Sequence, residues 1–356
     1  MIQSIGYGNK RPSGKLRRME FERDEPGPGD VQLQVLYCGV CHSDLHQARN
    51  EWDNTVYPCV PGHEIIGRVT RVGERVTRFA VGDLAGVGCL IDSCGECRGC
   101  REGLEQYCEG PRGPTATYNG PMKPDGTNTF GGYSDSIVVR EGFVLRIPEA
   151  LDPKSVAPLL CAGVTTYSPL RHWKVGPGQR VGVVGLGGLG HMAAKLAVAM
   201  GAEVTIFTTS PEKGDEARRL GAVDVVDSTK KKQMERQALS FDFILSTIPE
   251  PHDINPYIAL LKRDAALVVV GALGVLKPGL DNSEMAFHRQ SVAGSLIGGI
   301  AETQEVLDFC AEHGIAADVE IIPIQQINKA FDRMQDGEVR FRYVIDMASL
   351  REDADA

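Results

Sequence analysis

A chain of 356 residues exceeds what one hydrophobic core usually serves, so two domains are expected. Apolar residues make up 42% and charged residues 24%, the balance of a soluble globular protein with a large core. The net charge of −9 weighs against non-specific binding to nucleic acid or to an anionic membrane. The N-terminus MIQSIGYGNKRPSGK lacks the apolar stretch of a secretory signal. The longest apolar run, Val181 to Val204, carries His191, Lys195 and Glu203 and is broken by six glycines, which argues against a membrane span. The expected location is the cytoplasm.

Residues 1–150 read as β-rich. VQLQVLY alternates apolar and polar residues; EIIGRVTRVGERV and RFAVGDLAGV read as short strands with Gly and Asp turns; GGYSDSIVVREGFVLRIP reads as another strand pair. Between them, near residues 92–113, lies a Cys/Gly-rich loop without periodicity. At Leu151-Asp152-Pro153 the character changes: Asp at an N-cap with Pro at the first helical position is a start signal, and the spacing predicts a helix to about Trp173. After the turn Val175-Gly176-Pro177-Gly178 strands and helices alternate. RVGVVGLG, EVTIFTT, DVVDS, FDFILSTI, AALVVVG and SVAGSLIGG read as buried strands, and HMAAKLAVAMG and PEKGDEARRLG as helices stopped by Gly. Near-continuous Val/Ile/Leu strands separated by helices predict a parallel sheet covered on both faces. From about Ile300 the chain returns to mixed helix and strand. The expected division is 1–154, 155–298 and 299–356, within the α/β class.

Gly185-Leu186-Gly187-Gly188-Leu189-Gly190 fits G-x-G-x-x-G. In a chain with 41 glycines the hexamer alone means little, but it follows the strand VGVV and opens a helix, as dinucleotide binding requires. Gly185 allows the tight turn, Gly187 lets the backbone approach a pyrophosphate, and Gly190 lets helix and strand pack closely. The helix N-terminus offers free N–H groups to the phosphates. A plain glycine-rich turn is the alternative. The second strand then bears on NAD against NADP. An NAD site usually ends it with a carboxylate that binds the ribose 2′-OH. Here it ends Thr208-Thr209-Ser210, with no carboxylate before Glu212 and with Lys213 following. Hydroxyls and a lysine suit a doubly charged 2′-phosphate, which a carboxylate would repel. The expected cofactor is NADP; an ordinary helix cap beside a solvated lysine is the alternative.

Cys94, Cys97, Cys100 and Cys108 stand within fifteen positions, too crowded for independent disulfide staples. Four thiols suit a closed tetrahedral zinc site, with glycines at 95, 99 and 103 letting the loop fold round one ion. Such a site has no open position and would stabilise a loop rather than do chemistry. An iron–sulfur cluster or disulfides are the alternatives. A second set is scattered: Cys41 in GVCHSDLH, His63 and Glu64 in PGHE, and Cys161 in LLCAGVTTYSPL. Any one of these alone reads better as a buried structural residue. Together they match the Cys₂His set known for the catalytic zinc of alcohol dehydrogenases. Cys38, Cys59, Cys89 and Cys310 are left over as small buried hydrophobes.

These segments, with GLGGLGHM and in this order along nearly the whole chain, resemble the zinc-containing medium-chain dehydrogenase family. More narrowly they resemble its cinnamyl alcohol dehydrogenase branch, and within it bacterial NADPH-dependent aldehyde reductases of broad specificity. The resemblance implies a GroES-like outer domain followed by a Rossmann domain. It implies that Cys41, His63 and Cys161 bind the catalytic zinc, with Glu64 as an alternative ligand, that Ser43 and His46 form a proton relay, and that Asp44 orients His63. Ser43 can both donate and accept, and His46, three residues on, shares its helical face. An exposed helix histidine is the alternative for His46. By the same resemblance His42 and Arg342 face the pyrophosphate or ribose; a surface charge is the alternative for each. Thr165, a helical turn past Cys161, is expected at the nicotinamide, and Trp52, Ala116, Leu296 and Ile300 in the substrate pocket. Plant members carry a large aromatic residue where Ala116 stands, so a roomier pocket is expected.

The expected function is hydride transfer between NADP(H) and an aldehyde/primary alcohol pair, with small molecules as the only partners beyond an edge-to-edge homodimer. An NAD-dependent polyol or sugar dehydrogenase on the same scaffold is the second reading. A non-catalytic cofactor-binding protein is the third.

Overall fold

The computed structural model describes residues 1–12, 15–120, 128–337 and 339–354. The chain forms two compact units, Met1–Cys161 with Gly298–Ala356, and Ala162–Ile297. Among the described residues no helix is long and apolar enough to cross a membrane.

The first unit is built round the strand Asp30–Val40. Its alternation places Val31, Leu33 and Val35 at 0%, 0% and 4% exposure, while Gln32 and Gln34 stay half-buried. Each such apolar side chain is worth about 1.5–3 kcal/mol over leaving it in water. One edge pairs antiparallel with Ile65–Val72, which in turn pairs with Leu84–Val87. The other edge is shared end to end by Ser136–Arg140 and the late strand Arg342–Asp346, so the end of the chain is stitched beside its beginning. Val319–Pro323 adds parallel to Arg342–Asp346. Ile2–Gly8 and Arg17–Arg23 pair antiparallel as a two-stranded sheet, tied to the chain just before Ser136–Arg140 by Tyr7 N–H to Tyr133 O at 2.7 Å and Asp135 N–H to Ile5 O at 2.9 Å.

The second unit is a six-stranded, wholly parallel sheet. Its spatial order is Asp224–Asp227, Glu203–Thr208, Arg180–Val184, Phe241–Ser246, Leu261–Val269, Ser291–Gly294, the 3-2-1-4-5-6 order of a dinucleotide-binding fold. The direction of winding reverses beside Arg180–Val184, where such folds bind ligands. Val181, Val183, Val204 and Ile206 are fully buried, as the apolar runs predict for a sheet covered on both faces.

Two expectations need correction. The helix foreseen from Asp152 to Trp173 is three pieces: Pro153–Val156, a 3-10 turn Ala157–Leu160, and Ala162–His172. Asp152 does cap the first, accepting from Lys154 N–H at 3.1 Å. Pro158 lacks the N–H that a continuing helix needs, and Cys161 breaks it at φ −130°, ψ −69°. The segment SVAGSLIGG is strand only over Ser291–Gly294, and none of its four residues is buried. It is the terminal strand of its sheet, with one neighbour instead of two.

Candidate active site

The strand Asp30–Val40 delivers Cys41 to its end, where Cys41 becomes the N-cap of the helix His42–Ala48. His63 and Glu64 immediately precede the neighbouring strand Ile65–Val72. Cys161 sits at the break between the 3-10 turn and the next helix. These three junctions converge: one ligand atom from each of Cys41, His63, Glu64 and Cys161 lies within 4.8 Å of all the others, and all four residues are buried. The electrostatics suit a cation. The Cys161 thiol, ahead of the opposing effect of burial, and then His63 hold the Cys41 thiol well below its ordinary range. Cys161 is driven the other way, first by the same contact, so the pair shares its proton toward Cys161. Burial pushes Glu64 up to about 7 against the pull of Arg342. Glu64 Oε2 is buried with no hydrogen-bond partner among the described residues. An orphaned carboxylate oxygen beside two sulfurs and an imidazole is the donor chemistry of a zinc site.

Asp44 ties the ligands together. It is fully buried and accepts four hydrogen bonds: from Cys41 N–H at 2.9 Å, Gly62 N–H at 3.0 Å, Tyr133 O–H at 3.0 Å, and His63 Nδ1 at 3.2 Å. His63 is thereby fixed with Nε2 left over for a metal, the usual second-shell arrangement of a ligating histidine. Burial, the largest single influence, disfavours a charge on His63, yet Asp44, Cys89 and Cys41 together push the imidazole well above its ordinary value. The Tyr118 ring lies 5.5 Å from the His63 ring. Tyr118 and Tyr133 escaped the sequence reading, because an aromatic residue in a strand or loop looks like any other core residue.

Ser43 and His46 lie on the helix that Cys41 opens. The Cys41 thiol is 3.7 Å from Ser43 Oγ. His46 Nδ1 is 2.5 Å from Glu51 Oε2, and the His46 ring stands 5.5 Å from Trp52 and 6.2 Å from His42. Glu51 was not foreseen; its spacing of five from His46 falls beyond the helix, in the turn that follows. His42 is half-buried.

Arg342 is not a surface charge. It is 4% exposed, and its Nη2 pairs with Glu64 Oε1. The sequence expectation gave it the cofactor phosphates; the partner on view is the carboxylate of the metal cluster.

The four remaining thiols also converge, with one sulfur from each of Cys94, Cys97, Cys100 and Cys108 within 4.8 Å of the others. Backbone N–H groups point at them: those of Cys97 and Glu96 reach Cys94 Sγ at 3.3 and 3.5 Å, and those of Glu109 and Cys100 reach Cys97 Sγ at 3.3 and 3.5 Å. The N–H groups of Cys100 and Glu109 bring the Cys97 thiol down to about 6. Backbone dipoles favour the thiolates of Cys94 and Cys97, while burial pushes Cys100 up to about 11, and four converging thiols suit a closed zinc site. Of the leftover cysteines, Cys38, Cys59 and Cys310 are buried. Cys89 is half-buried, with its thiol 3.8 Å from Leu160 O.

In the second unit the glycine fingerprint sits between Arg180–Val184 and the helix Gly190–Ala199. Gly185 has φ +92°, and a side chain on Gly190 would collide with the Gly185 carbonyl. Gly187 is exposed with nothing within 4 Å of where a Cβ would stand, an open cradle at the helix start; Gly188 and Leu189 are half-buried. Thr208 is buried, Thr209 exposed, and Ser210 half-buried with its N–H on Thr208 Oγ1 at 3.0 Å. Lys213 closes a 3-10 turn, Pro211–Lys213, ahead of the helix Gly214–Arg219. Thr165 is buried, and its hydroxyl has no hydrogen-bond partner among the described residues. Leu296 belongs to this unit and is 40% exposed, whereas Trp52, Ala116 and Ile300 are half-buried in the other. Ala116 pairs with Leu90 and stands two residues before Tyr118.

A buried Cys₂His cluster with a spare carboxylate, a four-thiol lobe, and a 3-2-1-4-5-6 sheet with a glycine fingerprint define a zinc-containing medium-chain alcohol dehydrogenase. Residues 27–149 match the alcohol dehydrogenase GroES-like domain family and residues 188–312 the zinc-binding dehydrogenase family. The chain is 54% identical over 351 residues to the aldehyde reductase YahK of Escherichia coli, covering 98% of this chain and 99% of that one. Among solved structures it is similar to a cinnamyl alcohol dehydrogenase of Sorghum bicolor, with TM-score 0.93, 44% identity and 98% of each chain covered. It is also similar to the cinnamyl alcohol dehydrogenase of Helicobacter pylori complexed with NADP(H), with TM-score 0.91, 40% identity and 98% and 99% covered. The chain belongs to the cinnamyl alcohol dehydrogenase branch of this family and is an oxidoreductase of alcohols and aldehydes. The reading as a non-catalytic binding protein is thereby set aside.

Proposed function

We propose that this enzyme uses NADPH to reduce a broad range of aldehydes to primary alcohols, with one catalytic and one structural zinc per chain. The observation that carries the reading is the convergence of Cys41, His63 and Cys161 round the unpartnered Glu64 oxygen. A zinc ion held by these residues would supply Lewis acidity to a carbonyl oxygen, and the nicotinamide would supply the hydride. Asp44 holds His63 in the ligating tautomer. Ser43, beside Cys41, passes a proton to or from the reacting oxygen as both donor and acceptor. His46 continues the path to the surface, and Glu51 accepts from its Nδ1, leaving Nε2 to exchange the proton.

NADP is favoured over NAD by Thr208, Thr209, Ser210 and Lys213 at the end of the second strand, where no carboxylate precedes the exposed Glu212. The NADP(H) complex of the Helicobacter pylori relative supports the same choice, and it counts against an NAD-dependent polyol dehydrogenase. Gly187 cradles the pyrophosphate, and Gly190 lets the helix pack against the turn. Thr165 meets the nicotinamide with its spare hydroxyl. In the first unit Trp52, Ala116 and Ile300 serve the substrate, and the small Ala116 makes the site permissive. The deciding experiment measures zinc per chain together with NADPH and NADH oxidation over short, long and aromatic aldehydes. Two zinc, NADPH preference and comparable kcat/KM across the panel are expected. One zinc or none, NADH preference, or strict selectivity for coniferaldehyde defeats the corresponding part.

The enzyme further reads as a homodimer. The terminal strand Ser291–Gly294 leaves one edge free, and Leu273, Val275 and Phe287, in the stretch before it, are 56%, 77% and 85% exposed. Light scattering on Phe287→Asp tests this: a monomer is expected, and an unchanged mass rejects the edge. Six thiols directed at metal suit a reducing compartment, the cytoplasm.

A further inference from the structure

Glu105 joins two parts of the catalytic unit that the chemistry leaves separate. It opens the 3-10 turn Glu105–Tyr107, inside the loop bounded by Cys100 and Cys108. Its carbonyl oxygen accepts the N–H of Cys108 at 3.1 Å. Its side chain reaches the other way: Oε2 accepts the N–H of Ile300 at 2.9 Å. Ile300 is the first residue of the 14-residue helix Ile300–His313, and the leading N–H groups of a helix have no partner within it. Glu302 serves the Gly299 N–H at 3.3 Å, so the helix caps one group itself and the cysteine lobe caps the next. A carboxylate here also meets the positive pole of the helix. The contact is close: a side chain on Gly299 would run into the Gly103 carbonyl and the Glu105 carboxylate. The Gly103 N–H is itself held by Cys100 O at 3.2 Å. This helix starts just after Gly298, where the chain re-enters the catalytic unit.

We propose that the four-cysteine lobe acts on substrate fit through Glu105. Metal bound by Cys94, Cys97, Cys100 and Cys108 fixes Glu105, Glu105 fixes the first turn of Ile300–His313, and that turn sets Ile300 against the substrate. The inference rests on the zinc and pocket assignments proposed above. Glu105 is a positioning residue and touches no reacting atom.

The test compares zinc-loaded wild type, Glu105→Ala and Glu105→Gln by amide hydrogen exchange and by kinetics with a short and a bulky aromatic aldehyde. In Glu105→Ala the amides of residues 300–303 exchange roughly fivefold faster, the scale of a lost helix cap. KM for the bulky aldehyde rises roughly three- to tenfold while kcat and zinc content hold. Glu105→Gln keeps an acceptor oxygen and recovers most of both effects. Releasing the lobe zinc from wild type speeds exchange over the same residues. Wild-type exchange at 300–303 in Glu105→Ala overturns the proposal, and so does faster exchange with both KM values unmoved. A wild type that binds no zinc at the four cysteines defeats the assignment beneath it, and the cap is then still read from Glu105→Ala.

Discussion

Arg342 and Glu64 form an ion pair sealed from solvent, at 4% and 0% exposure. Removing two charges from water costs several kcal/mol each, so such a pair is poor stabilisation by itself. Its sense is positional. Arg342 holds one Glu64 oxygen and leaves the other free among Cys41, His63 and Cys161. Replacing Arg342 by Met strands a buried carboxylate, and a loss of about 3–5 kcal/mol is expected in urea unfolding of the zinc-loaded protein. The double variant with Glu64→Gln should recover part of that loss. A double variant as unstable as the sum of the singles would show that the two groups are not coupled.

Tyr133 is expected to matter for metal retention. It is fully buried, and its hydroxyl is one of four donors on Asp44, which holds both Cys41 N–H and the His63 ring. Tyr133→Phe leaves a lone pair of Asp44 bare where water has no access. Groups in this outer position typically change metal affinity by about 10–100-fold, and faster loss of catalytic zinc to a chelator is expected on that scale. The four-cysteine zinc is the internal control. Equal acceleration at both sites would mean general loosening, and no change at either would remove Tyr133 from the metal site.

Much of this was legible in the sequence, for identifiable reasons. A strand, a glycine turn and a helix are local, so the fingerprint at Gly185 to Gly190 could be read from adjacent residues. The four-cysteine lobe is equally local. Cys41, His63 and Cys161 could be gathered only because their flanking words resemble a known family; nothing in their spacing brings them together. What brings them together is pairing between Asp30–Val40 and Ile65–Val72, and the break at Cys161. That break was missed because helix start signals are local while its end here is set by one proline and a required ligand position. The pairing of Arg342 with Glu64 was missed because the two lie 278 residues apart. Ser291–Gly294 looked buried because apolar residues at a sheet edge read like those at its centre.

The cofactor preference should yield to two substitutions. Lys213→Ala removes the nearest foreseen cation for a 2′-phosphate, and a charge-assisted hydrogen bond is worth about 1.5–3 kcal/mol. KM for NADPH should therefore rise roughly 10–100-fold with little change for NADH. Thr209→Asp adds the carboxylate that the strand end lacks and should favour NADH. An equal rise for both cofactors in Lys213→Ala would point to a general fault in the nucleotide unit.

The two metals should leave in a set order. Cys94 is exposed and Cys97 and Cys100 are half-buried, whereas all four residues of the catalytic cluster are buried. A bulky mercurial thiol reagent therefore reaches the lobe first. The first zinc equivalent released should lower the melting temperature by several degrees while turnover at saturating aldehyde persists, since a closed four-thiolate site stabilises and does no chemistry. The second equivalent should abolish turnover, because the reacting oxygen then has no Lewis acid. Zinc release and activity followed together in one titration decide the matter. Should kcat vanish with the first equivalent, the assignment of the buried cluster as the catalytic site and of the lobe as the structural one is reversed.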